Sequence, residues 1–437
     1  MIMTAPDLSA LSASIARLDP ISRTGRVVAI EKGTILVGGI QQWVAPGDQV
    51  QVETGLCGEV ITTGPDHVSI LPDGPVAGVR RGMSVVARHA VQLCPDPSWI
   101  GRVIDPDGRP LDGLPLISGV APESRARPKA PQRGFGARME TGVAALNTLL
   151  PLARGQRIGL FAGSGVGKST LLGMLTRHVD AEVIVIGLVG ERARELRDFV
   201  TDTLGPKGLS RAIVIAATAE TAPQTRRRCA ESATRVAEYF SDLGHHVLLL
   251  MDSLTRFAEA HREVAVASSE RANLRGHPAS TPAALAGLCE RAGPGRFGRG
   301  DITAIYTVLV AGSDMEEPVA DMVRGVLDGH IVLDRSIAER GRFPAIDVLR
   351  SVSRSLPGVA SDAENALIQE ARQSIAAYDR IAVMRQAGLY AEGADLQADA
   401  AVANHDALEK FLALTDGRPA LGHFAALRQA LSHGRTG

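Results

Sequence analysis

Apolar and polar positions divide the chain into distinct stretches. In residues 1–20, Leu8, Leu11, Ile15 and Leu18 recur at helical spacing and leave one narrow apolar stripe. Such a helix either packs on its own protein or docks a partner. In residues 21–95 the short β-branched runs VVAI, TILV, QVQV, EVIT, VSIL and SVVA are separated by Gly, Pro and Asp turns, which predicts a small β-barrel domain. Residues 96–135 are rich in Gly, Pro and Arg and read as a connector. Between 136 and 355 the runs RIGLF, VIVIGL, AIVIAA, VLLLM and ITAIYTVLV alternate with helix-like stretches such as 226–242. Runs that are apolar throughout suit strands buried on both faces, and their alternation with helices predicts an α/β domain with a largely parallel sheet. Residues 356–437, rich in Ala, Leu and Gln at helical spacing, predict a small helical domain.

Composition narrows the functions open to this architecture. The 437 residues carry 47 basic and 48 acidic side chains, a formal charge of −1, so no cationic surplus points to nucleic acid or an anionic membrane. Aromatic residues are only 3% of the chain, and Trp43 alone lies in the barrel stretch, whose basic and acidic residues balance. A base-stacking groove is therefore not expected there. Cys57, Cys94, Cys229 and Cys289 show no metal-ligand spacing, and reduced cysteines in the cytosol are the simplest reading. No apolar run approaches the ~18–20 residues that span a bilayer, and the N-terminus does not read as a signal peptide.

Residues 162–169, AGSGVGKS, follow the strand-like RIGLF and open a helix-like stretch. This is the P-loop pattern, with Ala162 where the strict form has Gly. Gly163, Gly165 and Gly167 let the backbone curl so that the N–H groups of Gly163, Ser164, Gly165, Val166 and Gly167 can face phosphate oxygens. The helix start, through Lys168, Ser169 and Thr170, adds its positive end. Lys168 can reach the β- and γ-phosphates, and the Ser169 hydroxyl can ligate Mg²⁺. A second metal-side group is expected at the end of another buried strand, and VLLLMD supplies Asp252, although capping of the next helix would also explain an acid there. VIVIGL runs into VGERARE, placing Glu191 at a strand's carboxyl end, where it can orient attacking water or stand as a solvated carboxylate.

Together AGSGVGKS, VGERARE, VLLLMDSLTRFAEAHRE and FPAIDVLRSVSR resemble the rotary-ATPase-related hexamers, and best the flagellar protein-export ATPases of the type III secretion family. Similarity extends over about residues 22–400. WIGRVIDPDGRPLDG, METGVAALNTLLPLARGQRIGLF, VAEYFSDLGHH and DGHIVLDR support it. The resemblance implies a β-barrel, a RecA-like P-loop nucleotide domain and a helical C-terminal domain. It implies that Glu191 polarises water and that Arg354, in SVSR, is an arginine finger serving a neighbouring subunit; the alternative for Arg354 is a surface ion pair. Arg256 and Arg192 become γ-phosphate or interface contacts. Phe343, where the family usually has Tyr, and Tyr390 fit an adenine pocket, although both could be core aromatics. In ATP synthase the Glu and the Arg are divided between different chains, whereas Glu191 and Arg354 share this one. A ring of identical copies is therefore expected, six by the resemblance, with low activity when dilute.

The expected activity is Mg²⁺-dependent ATP hydrolysis that drives flagellar protein export. The resemblance implies as partners export substrates with their chaperones, a stator-like regulator on the N-terminal tail, a central-stalk-like coiled coil and a membrane export gate. It implies a cytoplasmic protein peripherally associated with the inner-membrane export apparatus. The ATPase of a non-flagellar injectisome is the nearest alternative. A RecA-like RNA translocase is disfavoured by the neutral, aromatic-poor barrel, and a non-enzymatic ring is a further alternative. One stretch departs from the family: ASSERANLRGHPAS (267–280) lacks the usual proline pair and has His277 in place of Tyr. Coupling of hydrolysis to work is thus less firmly implied than hydrolysis itself. Ala193 replaces a frequent Gly without evident consequence.

Overall fold

The computed structural model describes residues 21–88, 93–119, 133–295, 298–310, 315–391, 393 and 395–432. The helix expected in residues 1–20 lies outside them. Strands β1 (Thr24–Glu31), β2 (Thr34–Gly38), β3 (Gln49–Val52), β4 (Cys57–Thr63), β5 (Val68–Pro72) and β6 (Ser84–Arg88) close into an antiparallel barrel in the order β1-β2-β5-β4-β3-β6. Each contains one of the β-branched runs. Inward residues Val27, Ile35, Val37, Val50, Val60, Val68, Ile70 and Val85 fill the interior, and closure removes exposed sheet edges. The tight β4–β5 approach needs glycine at Gly58, where a Cβ would stand 2.7 Å from Ile70 Cγ2 and 2.8 Å from the Leu71 carbonyl oxygen.

The remaining strands are β7 (Val103–Ile104), β8 (Arg157–Ala162), β9 (Val183–Glu191), β10 (Ala212–Thr218), β11 (Val247–Asp252), β12 (Ala272–Leu274), β13 (His277–Pro278), β14 (Ile302–Leu309), β15 (Gly329–Leu333) and β16 (Ile346–Ser353). β12 and β13 pair as a small hairpin; the others form one sheet in the order β16-β15-β8-β14-β11-β9-β10-β7. Every neighbouring pair in this sheet is parallel except β15–β16. The stretch read as a connector also supplies the edge strand β7 and the buried Trp99. Two apolar residues were too short a run to stand out in the sequence.

Side chains alternate between two cores. Ile184, Ile186 and Leu188 of β9 pack with Leu171, Leu172 and Leu175 of α1 (Lys168–His178). Val183, Val185 and Val189 face the opposite layer, with Ala233, Val236 and Phe240 of α2 (Pro223–Asp242) and Leu254 and Phe257 of α3 (Leu254–Ala267). This two-sided burial is why the runs are apolar at nearly every position. The helical domain, α4 (Asp362–Gln386), α5 (Leu396–Leu412) and α6 (Ala420–Ala430), joins the α1 layer through Leu367, Phe411 and Leu427. The start of α4 is fixed by a capping box between Ser361 and Glu364, and Arg138 donates to the same Glu364 at 3.0 Å.

A buried carboxylate fastens the barrel to the sheet domain. Glu59 of β4 is 1% exposed and accepts from Arg227 and Arg228 of α2, each at 2.6 Å. Gln224, one turn earlier, donates to the Leu71 carbonyl at 3.1 Å and to Asp73 at 2.8 Å. Burial raises the pKa of Glu59 while the two guanidiniums oppose it. Removing one partner of a buried pair leaves the other charge uncompensated, at about 3–5 kcal/mol. Glu59→Ala should therefore lower the unfolding free energy by an amount in that range, read as a fall in the chemical-denaturation midpoint. An unchanged midpoint would show that the clamp contributes nothing to holding the domains.

Candidate nucleotide site

The phosphate loop is built from a strand that stops abruptly. β8 ends at Ala162, and the backbone turns through Gly165 (φ 77°) and Gly167 (φ 90°) before α1 begins at Lys168. Both angles lie in the left-handed region that favours glycine. Val166, 2% exposed, is the loop's apolar anchor in the α1 layer. Ser164, Ser169 and Thr170 are exposed at the loop and the helix start. Phe343, 49% exposed, lies against the loop: a Cβ on Gly167 would meet its ring at 3.4 Å. Tyr390 takes a place in the helical domain, where its hydroxyl donates to Asp399 of α5.

Parallel strands bring the acids to the loop. Asp252 ends β11 and Glu191 ends β9, on adjacent strands paired at Asp252–Leu188. The Lys168 ammonium lies 2.5 Å from Asp252 Oδ1 and 3.9 Å from Glu191 Oε1. These side chains are mostly buried, Asp252 most of all at 6% exposure. Asp252 Oδ1 also accepts from the Thr307 hydroxyl at 2.6 Å, whereas Oδ2 has no hydrogen-bond partner among the described residues. The sequence reading missed Thr307. Its signal was a hydroxyl, like that of Thr303, within a buried strand, and the sequence does not say which neighbour such a hydroxyl meets.

Burial, and next the charge of Asp252, push the Glu191 pKa up to about 7, with Lys168 opposing them. A carboxyl with that pKa can take a proton near neutral pH. Gly190 before it (φ 69°) is wedged between arginines, since a Cβ there would meet Arg226 Cδ and Arg256 Cβ at 3.4 Å each. Arg256 donates to Glu259 at 3.0 Å, and Arg192, 81% exposed, pairs with Glu195 at 3.0 Å.

Arg354 lies elsewhere. Because β16 runs against its neighbour β15, its end points to the opposite edge of the sheet. Ser353 pairs with Gly329, and the Arg354 N–H donates to the Asp328 carbonyl, whereas Leu333 pairs with Ala162 just before the phosphate loop. The offset is about six residues, roughly 20 Å at ~3.3 Å per residue. Arg354 is exposed and forms no salt bridge among the described residues.

Comparisons with known proteins agree with this geometry. Residues 142–353 match the ATP synthase alpha/beta family, nucleotide-binding domain, and residues 360–420 match the T3SS EscN ATPase C-terminal domain. The flagellum-specific ATP synthase of Caulobacter vibrioides is 42% identical over 93% of this chain and 94% of its own length. The assembled ATPase EscN of the enteropathogenic E. coli type III secretion system superposes with a TM-score of 0.86 at 35% identity, covering 93% of this chain and all of that one. EscN in complex with its central stalk EscO gives 0.84, with the same identity and coverage.

The Glu191 environment sets a pH dependence. If Glu191 acts as its carboxylate, kcat/KM for nucleoside triphosphate turnover should fall as pH drops below about 7, approaching about tenfold per pH unit. The sign follows from the raised pKa: the base form is lost on acidification. A profile flat from about pH 8 down to 5.5 would remove Glu191 from the rate-determining chemistry.

Proposed function

This chain belongs to the ATP synthase alpha/beta family, among the flagellum-specific ATP synthases, and we propose that it hydrolyses ATP at a site shared between two subunits to energise protein export through the flagellar type III apparatus. It is an ATP-hydrolysing enzyme. The observation that carries the shared site is the separation of Arg354 from the loop of its own chain, a distance longer than an arginine side chain. In a ring, the Arg354 edge of one copy faces the loop edge of the next.

In this reading the loop N–H groups and the α1 N-terminus hold the phosphates, and Lys168 leaves Asp252 to neutralise the β- and γ-phosphates. Glu191 orients the water that attacks the γ-phosphorus in line, and its near-neutral pKa suits it to accept that water's proton. Arg354 of the neighbouring copy faces the charge that develops on the transferred phosphoryl group, an effect worth roughly 10³–10⁵ in rate. Arg256 and Arg192 flank Glu191 at the same edge, for the γ-phosphate or for the interface. Phe343 offers an exposed ring beside the loop for the adenine, with Tyr390 as the second aromatic. The donors suit Mg²⁺, which prefers hard oxygen ligands: the exposed Ser169 hydroxyl and the unshared Oδ2 of Asp252 would hold it. When bound, the ion would neutralise charge on the β- and γ-phosphate oxygens.

Assembly into a hexamer and engagement of a coiled-coil stalk are proposed by analogy with assembled EscN and its complex with EscO. The tail regulator, the export substrates with their chaperones, and the membrane export gate belong to the same proposal. So does a cytoplasmic location beside the export apparatus; among the described residues no helix is long and apolar enough to cross a membrane.

Glu191→Gln and Arg354→Ala should each abolish turnover in homogeneous rings while nucleotide binding persists. Mixed rings of the two variants should regain part of the activity, because some interfaces pair an intact Glu191 with an intact Arg354. Mixed rings that form and stay inactive would rule out the shared site. Single-stranded RNA should leave the ATPase rate unchanged, and strong stimulation would favour a translocase instead.

A further inference from the structure

Asp252 Oδ1 is held by two donors of different kinds. Lys168 reaches it on a long flexible stem, and in the proposed function that ammonium turns to the phosphates. Thr307 does not share that freedom. It is fully buried on β14, the strand between the loop strand β8 and the Asp252 strand β11. The pairing of Met251 with Tyr306 sets Asp252 beside Thr307. The strand end is pinned on both sides: the Leu309 N–H donates to Thr255 Oγ1 at 2.9 Å, and the Val310 N–H to the Ala162 carbonyl at 3.1 Å. A hydroxyl 2.6 Å from a carboxylate oxygen is a charge-assisted hydrogen bond on a rigid support.

We propose that Thr307 is a positioning residue that keeps the Asp252 carboxylate oriented, with Oδ1 bound inward and Oδ2 facing the metal side, after Lys168 has moved to the phosphates. The proposal rests on the reading of Asp252 as the metal-side acid and deepens it. Here the lysine and the threonine share the carboxylate. Once nucleotide arrives, Thr307 is the donor left on Oδ1, and without it the carboxylate is free to rotate about its last bond. Because β14 also receives the end of the loop strand through Val310 and Ala162, one strand sets the spacing between the loop and the acid.

The test uses the full chain with Thr307→Val, which keeps the shape and removes the donor, and Thr307→Ser, which keeps the donor. Binding of a fluorescent ADP analogue is measured in EDTA and across a Mg²⁺ titration, together with kcat. Thr307→Val should bind nucleotide in EDTA as the parent does. Its half-saturating Mg²⁺ concentration should rise, and its kcat fall, by about tenfold to a hundredfold, the usual effect of losing a hydrogen bond that orients a metal ligand. Thr307→Ser should stay close to the parent. Equal losses for Val and Ser, or a loss of binding in EDTA, would reveal a packing fault and overturn the proposal. Asp252→Asn separates the two levels. If it loses the Mg²⁺ response while Thr307→Val does not, the role of Thr307 fails alone; if it keeps the response, the metal-side reading of Asp252 fails and the proposal with it.

Discussion

The Lys168 ammonium, 2.5 Å from Asp252 and 3.9 Å from Glu191, is the contact around which the nucleotide edge is arranged. One positive charge faces two carboxylates in a poorly hydrated cleft, and the acids differ in consequence. Asp252 has the closer cation and a buried hydroxyl donor. Glu191 is pushed up to about 7 by burial first and by the charge of Asp252 next, with the more distant Lys168 opposing them. The two carboxyls thus stand in different surroundings although they share one lysine.

This arrangement depends on strand direction. Parallel strands deliver their carboxyl ends to one edge, so the phosphate loop, Asp252 and Glu191 meet although they are far apart in sequence. β16 is the exception, and its reversal carries Arg354 to the other edge. The proposed site, which draws on both edges, needs two copies of the chain. The barrel is tied into the same body by Glu59 and the arginines at the start of α2, whose neighbour Arg226 packs against Gly190 beside Glu191.

Much of the fold was legible because burial leaves a simple mark. Strands covered on both faces are apolar at nearly every position, and RIGLF, VIVIGL, AIVIAA, VLLLM and all but the last residue of ITAIYTVLV lie in β-strands of the central sheet. The barrel runs were legible for a related reason: turn residues bracket short β-branched segments. β7 left no comparable mark, since its two residues join an existing edge, and neither did the antiparallel sense of β16, because pairing direction is not written in composition. The phosphate loop was readable as a motif, since its glycines and lysine are close together in the chain. The Thr307–Asp252 and Glu59–Arg227 contacts were not, since they join residues 55 and 168 positions apart.

The sequence alone determined which segments become strands and helices and which loop can curl around phosphate, because these follow from hydrophobic periodicity and the φ angles open to glycine. Only the tertiary structure decided which strands lie side by side, which carboxylate receives the lysine, and at which edge Arg354 emerges. Those outcomes depend on long-range packing, and no local run of residues encodes its own neighbours.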